Sequence, residues 1–335
     1  MQLSFSQLKD ITQGAVRLTC ENNTVRFFRF TDEQEALYER TNREFYNKTF
    51  CTAGVKLQFR TDSPWLELEV EISKGTPTRV YYSFDVYANG KPVGNLDNFS
   101  DRTLSGEYIF DDYPLGHSQK RFDLGAGEKT VSVYFPWTVS VALHGLSLAD
   151  GSSITPVRPV KKLLTFGDSI TQGYDALRPS CRYPAVLAEA LGAEEICKAI
   201  GGEVFFPELA EAKEDFIPDY ITVAYGTNDW SKTERPNFLR NCRAFFETLC
   251  RNYPQAKIYA LTPIWRKDRD EYRAYGSFDQ VTQDLCDIAK NMQQITVIPC
   301  YEFVPKDSAY FADLRLHPND QGFASYAACL IDAIS

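Results

Sequence analysis

The chain has 335 residues, 44% hydrophobic and 24% charged, which is enough for two domains that each bury a core of their own. Its net charge of −9, with no basic cluster rising out of it, argues against nucleic acid or an anionic membrane as partner. No stretch is apolar for long enough to span a bilayer, and the first ten residues show no basic segment leading into an apolar run, so no signal peptide is expected. Nine cysteines without C-x-x-C spacing and only three histidines (His117, His144, His317) point to reduced thiols, a cytoplasmic setting and no zinc centre.

In chain order, residues 1–50 predict a strand around Val25 to Phe30 and then a short helix or loop. Beyond them the pattern is β. Val55, Leu57 and Phe59 alternate with polar residues, as do Leu66, Leu68, Val70 and Ile72 with Glu67, Glu69 and Glu71. Tyr82, Phe84 and Val86 lead to Asn89-Gly90, a two-residue hairpin turn, and Val131, Val133 and Phe135 follow. Short alternating strands with turns between them predict an antiparallel β-sandwich over 1–150. Residues 151–161, with two prolines and no period, read as a linker.

From 162 to 335 the pattern changes to α/β. Leu163–Phe166, Tyr220–Ala224 and Ile258–Leu261 are short, nearly all-apolar runs, suited to a parallel sheet covered on both faces. Between them lie helical periods: Phe238, Leu239, Cys242, Phe245, Phe246 and Leu249, and later Phe323, Tyr326, Ala327 and Leu330.

Four blocks carry the chemistry: Gly167-Asp168-Ser169-Ile170-Thr171, Gly201-Gly202, Gly226-Thr227-Asn228-Asp229 and His317-Pro318-Asn319. The first three follow predicted strands, Leu163–Phe166, Ile196–Ala199 and Tyr220–Ala224, and ligands of open α/β sheets bind at the carboxyl ends of strands. Ser169 then has its hydroxyl at the mouth of the sheet, as a nucleophile. Gly202 offers a backbone N–H unobstructed by a side chain, and Asn228 offers a carboxamide N–H₂. His317 can take the serine proton and return it to a leaving alkoxide. His117 and His144 lie in the β half and read as surface or satisfied core residues. Trp230, Trp265 and Arg266 sit close after the strand ends and are candidates for lining a substrate cleft.

The four blocks resemble the SGNH (GDSL-like) hydrolase superfamily. The resemblance implies a flavodoxin-like three-layer domain over 162–335 and ester hydrolysis through an acyl-serine. It also implies an oxyanion hole from the N–H groups of Ser169 and Gly202 with the amide of Asn228. No metal or organic cofactor is needed. The superfamily has an aspartate three residues before the histidine, where this chain has Leu314. Asp313 stands four before. Either a longer loop brings Asp313 to the His317 ring, the preferred reading, or a backbone carbonyl serves a Ser–His dyad. A jelly-roll domain in front of an SGNH domain is similar to carbohydrate esterase family 2. That likeness implies a short acyl ester, an O-acetyl group on a sugar or oligosaccharide, as substrate. A lysophospholipase or thioesterase, or a non-catalytic sugar-binding protein on a hydrolase scaffold, are the alternatives. The sequence is silent on the sugar and on oligomeric state.

Overall fold

The computed structural model describes residues 1–334. The chain folds into two compact units whose segments interleave. One comprises Met1–Phe30, Asn47–Val160 and Leu177–Ser180; the other comprises Thr31–Tyr46, Lys161–Ala176 and the chain from Cys181 onward. Residues 31–46, expected with the sandwich, thus cluster with the α/β unit, and Leu177–Ser180 goes the other way. No helix among the described residues is long and apolar enough to cross a membrane.

Eight of the first unit's eleven strands make up the body of its two sheets: β1 (Thr24–Phe28), β2 (Lys56–Thr61), β3 (Trp65–Lys74), β4 (Ser83–Ala88), β5 (Lys91–Asp97), β6 (Gly116–Asp123), β7 (Lys129–Tyr134) and β8 (Val139–Leu148). They form two antiparallel sheets ordered β1-β8-β3-β6 and β2-β7-β4-β5. Arg17–Glu21 extends the first sheet beside β1. The expected alternation holds. Leu66, Leu68, Val70 and Ile72 are buried, while Glu67, Glu69 and Glu71 between them are partly exposed. Leu57, Phe59, Phe84, Val86, Val131 and Val133 from the other sheet share one apolar core with them. Each such side chain contributes roughly 1.5–3 kcal/mol by burial. Asn89 and Gly90 both take positive φ (+49° and +72°), the geometry a two-residue hairpin needs.

The predicted linker is partly structured. Thr155–Pro156 pairs with Arg60 and Phe59 at the edge of the second sheet, where a proline costs no ladder bond. The stretch 31–50 is two helices, Asp32–Thr41 and Arg43–Thr49. Thr31 caps the first: its hydroxyl accepts from Gln34 N–H (3.2 Å), and the Gln34 side chain accepts in return from Thr31 N–H (3.1 Å).

The second unit holds five parallel strands: β9 (Lys161–Gly167), β10 (Ala193–Cys197), β11 (Tyr220–Ala224), β12 (Lys257–Leu261) and β13 (Ile295–Ile298). Their order β10-β9-β11-β12-β13 is that of a flavodoxin-like sheet, with its switch point between β9 and β11. Both faces are covered, which is why the strands read as apolar runs. Leu163 of β9 packs with Tyr183, Leu187 and Phe323 of helices Tyr183–Leu191 and Asp320–Ile334. Phe166, of opposite parity, meets the Phe245 ring of helix Arg235–Asn252 at 5.3 Å.

Candidate active site

Ser169 follows β9 directly. The strand ends at Gly167, where a Cβ would come within 2.2 Å of Thr171 Oγ1, so only glycine lets the chain turn so tightly. Asp168 then caps the short helix Ser169–Gln172 by accepting from Ile170 N–H (3.0 Å). The carbonyls of Thr171 and Gln172 at its other end are taken by the buried Arg182 guanidinium, itself paired with Glu195 at 2.7 Å. The nucleophile candidate therefore sits on a turn fixed at both ends.

Ser169 Oγ lies 2.9 Å from His317 Nε2, and both residues are nearly buried. The other ring nitrogen, Nδ1, is 2.9 Å from Asp313 Oδ2. The extra residue between acid and histidine is absorbed at Leu314, which takes φ +55° with its side chain in solvent. Asp313 Oδ1 accepts from the backbone N–H groups of Arg315, Leu316 and His317 (3.0, 2.7 and 3.0 Å). A bridge between Phe311 and Pro318 closes the loop around the carboxylate. Burial opposes ionisation of Asp313, but the His317 ring and these N–H groups outweigh it and hold the carboxyl well below the usual range. A second carboxylate stands at the same nitrogen. Asp175 Oδ2 is 3.4 Å from Nδ1, from a fully buried residue at φ +71°. The Tyr174 ring lies beside the imidazole at 5.7 Å. Asp175, Asp313 and His317 are also the one group with donor atoms spaced for a metal ion among the described residues.

Gly202 and Asn228 leave the carboxyl ends of the strands on either side of β9. Gly201 N–H donates to Gln172 Oε1 (2.8 Å), tying the loop to the serine helix. A Cβ at Gly201 would strike the Tyr174 ring at 2.5 Å. Gly202 takes φ +93°, its carbonyl accepts from Lys232 Nζ (2.7 Å), and its N–H has no acceptor among the described residues. The same is true of Ser169 N–H. Asn228 Nδ2 donates to the Glu203 carbonyl (3.1 Å), which fixes the amide and leaves its second hydrogen. Asp229 holds the turn from below: its carboxylate accepts from Gly226 N–H (3.1 Å) and Phe205 N–H (3.3 Å). Burial drives the Asp229 carboxyl up to about 7 and that of Asp168 to about 6.

The sequence-based cleft residues need correction. Trp230 is fully buried: its Nε1 donates to Gly276 carbonyl (2.9 Å), its ring packs on Phe278, and the Arg266 and Arg273 guanidinium groups lie over it. It follows the Asn228 block into a helix, and that helix points it inward. Arg266 is buried too, paired with Asp268 and donating to Thr227 carbonyl. Neither has a face left for a ligand. Trp265 remains half-exposed against Phe311, beside the His317 loop. Asp175, Glu203 and Lys232 escaped the sequence reading. Each lies within a few residues of a recognised block, but its role depends on contacts that no spacing reveals.

Residues 165–324 match the family of GDSL-like lipases and acylhydrolases. The α/β unit is a domain of that family, the SGNH hydrolases, and with it the chain is an ester hydrolase. Comparison with curated proteins gives no match. Several solved structures are similar over most or all of the chain. A salicylyl-acyltransferase, SsfX3, from a tetracycline biosynthetic pathway is 20% identical at TM-score 0.79, over 96% of this chain and 94% of that one. A family two carbohydrate esterase from Cellvibrio japonicus is 18% identical at TM-score 0.66, over 100% and 96%. A family two carbohydrate esterase from Clostridium thermocellum, in complex with cellohexaose, is 14% identical at TM-score 0.63, over 84% and 92%. At such identities the likeness is one of fold.

Proposed function

We propose that the protein is a serine esterase that removes short acyl groups, O-acetyl above all, from a sugar or oligosaccharide. The observation that carries the reaction is the line Ser169 Oγ–His317 Nε2 and His317 Nδ1–Asp313, each step 2.9 Å. His317 takes the proton as Ser169 attacks the ester carbonyl, and Asp313 stabilises the imidazolium that forms. The N–H groups of Ser169 and Gly202 and the Asn228 amide receive the oxyanion. His317 then protonates the leaving sugar alkoxide, and water repeats the attack on the acyl-serine. This route uses no metal and no organic cofactor.

The sugar is supported by the names of the family two carbohydrate esterases among the similar structures. The strand order of the first unit also supports reading it as a jelly roll of two Greek keys. Nine free cysteines support a reducing, cytoplasmic setting. The test is acetate release from a panel of acetylated sugars, alongside a series of acetyl, butyryl and octanoyl nitrophenyl esters. A kcat/KM maximum at acetyl is expected. A maximum at octanoyl moves the protein to lipid or thioester substrates, and acyl transfer to an added alcohol in preference to water makes it a transferase.

A further inference from the structure

Helix Asp32–Thr41 is supplied by the N-terminal half of the chain, yet it belongs to the α/β unit. Its Tyr38 is fully buried, and the Tyr38 hydroxyl donates to Glu203 Oε1 at 2.5 Å. Tyr225, at the end of β11, donates to the other oxygen of the same carboxylate at 2.7 Å. Glu203 is itself buried and directly follows Gly202. Its backbone N–H donates to Ile200 carbonyl (3.1 Å), closing the glycine turn, and its carbonyl accepts from Asn228 Nδ2 (3.1 Å). One residue therefore joins both loop donors of the proposed oxyanion hole, and two tyrosines hold that residue's carboxylate. The helix is anchored at a second point. Gln34 donates to Ala212 carbonyl and Glu214, and accepts from the buried Lys198 that pairs with Glu214 at 2.8 Å.

We propose that Tyr38 is a positioning residue of the ester-hydrolysing site, and that helix Asp32–Thr41 is present in order to clamp Glu203 and, through it, hold Gly202 and Asn228 toward the oxyanion. A buried carboxylate is costly unless its lone pairs are engaged by fixed donors, and the two tyrosine hydroxyls provide them. The inference rests on the oxyanion reading given above, and it makes helix Asp32–Thr41 a support of the site.

The experiment is steady-state kinetics of the full chain on an acetyl ester, with folding followed by helix circular dichroism. Tyr38→Phe removes one hydroxyl and keeps the ring. It should lower kcat roughly ten- to a hundredfold with KM nearly unchanged, because the displaced donors matter only as the oxyanion forms. Glu203→Ala should do the same, and Glu203→Gln, which can still meet both hydroxyls, should restore most of the rate. Tyr38→Phe added to Glu203→Ala should cost little more, since its partner is already gone. Folded Tyr38→Phe with kcat within about threefold of wild type overturns the proposal, as does full additivity in the double variant. If Tyr38→Phe does not fold, the Glu203→Ala and Glu203→Gln pair decides alone: equal kcat in the two overturns it. Ser169→Ala is run beside them, and if it stays active the hydrolase reading has failed instead.

Discussion

The two carboxyls that burial raises to about 6 and about 7 both lie in the α/β unit. In the two-sheet unit every carboxyl with a resolved shift is lowered: Asp62, Asp97 and Asp150. Burial raises Asp97, but Ser100 and Arg178 more than offset it, and Asp62 and Asp150 are exposed and hydrogen-bonded. In the α/β unit, Asp268, Asp284 and Asp313 are likewise lowered, against burial, by their arginine, tyrosine and histidine partners, but Asp168 and Asp229 are pushed upward because burial outweighs their partners. Both stand beside the residues proposed to do chemistry, one before Ser169 and one after Asn228. A fold optimised only for stability would place such groups in water. Their burial under the serine and asparagine loops is a cost that rigid positioning of those loops explains.

The sharpest way to break this contrast is at the nucleophile and base. Ser169→Ala and His317→Ala should each lower kcat by at least about a thousandfold, and neither should abolish folding, since each removes few packing atoms. Fluorophosphonate labelling should vanish with Ser169→Ala. Labelling that persists would show that another residue is the nucleophile.

Asp313→Asn comes next. The Asn carbonyl can still accept the loop N–H groups, but its amide then faces the Nδ1–H. A loss of kcat of roughly a hundredfold or more, with little change in KM, is expected. Asp175 stays within 3.4 Å of Nδ1, so the loss should stop short of that of His317→Ala. Combining Asp313→Asn with Asp175→Asn should close that gap. If Asp313→Asn costs tenfold or less and the pair costs no more, a Ser–His dyad is at work.

The serine, glycine, asparagine and histidine blocks were legible because each is local: a few residues at the end of a strand define both the turn and the donor. Strand periods were legible for the same reason, since Leu66 to Ile72 advertise their face by alternation. What stayed hidden depends on distant partners. Nothing in Asp32–Thr41 distinguishes a surface helix from one whose Tyr38 ends on Glu203, 165 residues away. The domain division failed at that segment because an excursion of the chain has no compositional mark. Trp230 was misread because proximity in sequence to Asn228 says nothing about which way a helix turns its side chains.

A smaller effect concerns pH. Asp168 and Asp229 hold protons in the folded chain that unfolding releases, because their folded values of about 6 and about 7 exceed the unfolded 3.8. Their contribution to stability is therefore greatest below about pH 4 and is lost as pH rises through those values, by an amount of order a few kcal/mol. Asp313 acts in the opposite sense: its contribution is present above the ordinary carboxylate range and lost as pH falls through its lowered value. Asp229→Asn cannot titrate. Denaturant unfolding followed by the helix signal should show a flatter loss of stability between pH 5 and pH 8 than wild type, roughly in line with removing one raised group. An unchanged slope would mean that the buried carboxyl of Asp229 is compensated after all.

The smallest effects separate the two tryptophans. Trp230 is buried among Phe278 and two guanidinium groups, so Trp230→Phe should lower stability by about 1–2 kcal/mol and leave KM for an acetylated sugar unchanged. Trp265 is half-exposed beside the His317 loop, so Trp265→Ala should raise KM about threefold and leave kcat and the unfolding midpoint nearly as they were. The ratio of the two responses matters more than either alone. If both substitutions change stability and neither changes KM, Trp265 is a packing residue for Phe311 and the sugar is held elsewhere. If Trp230→Phe changes KM, the Arg266 and Arg273 groups over its ring transmit a disturbance to the Asn228 turn, through the bond from Arg266 to Thr227 carbonyl. That would make the buried cluster part of the site's support.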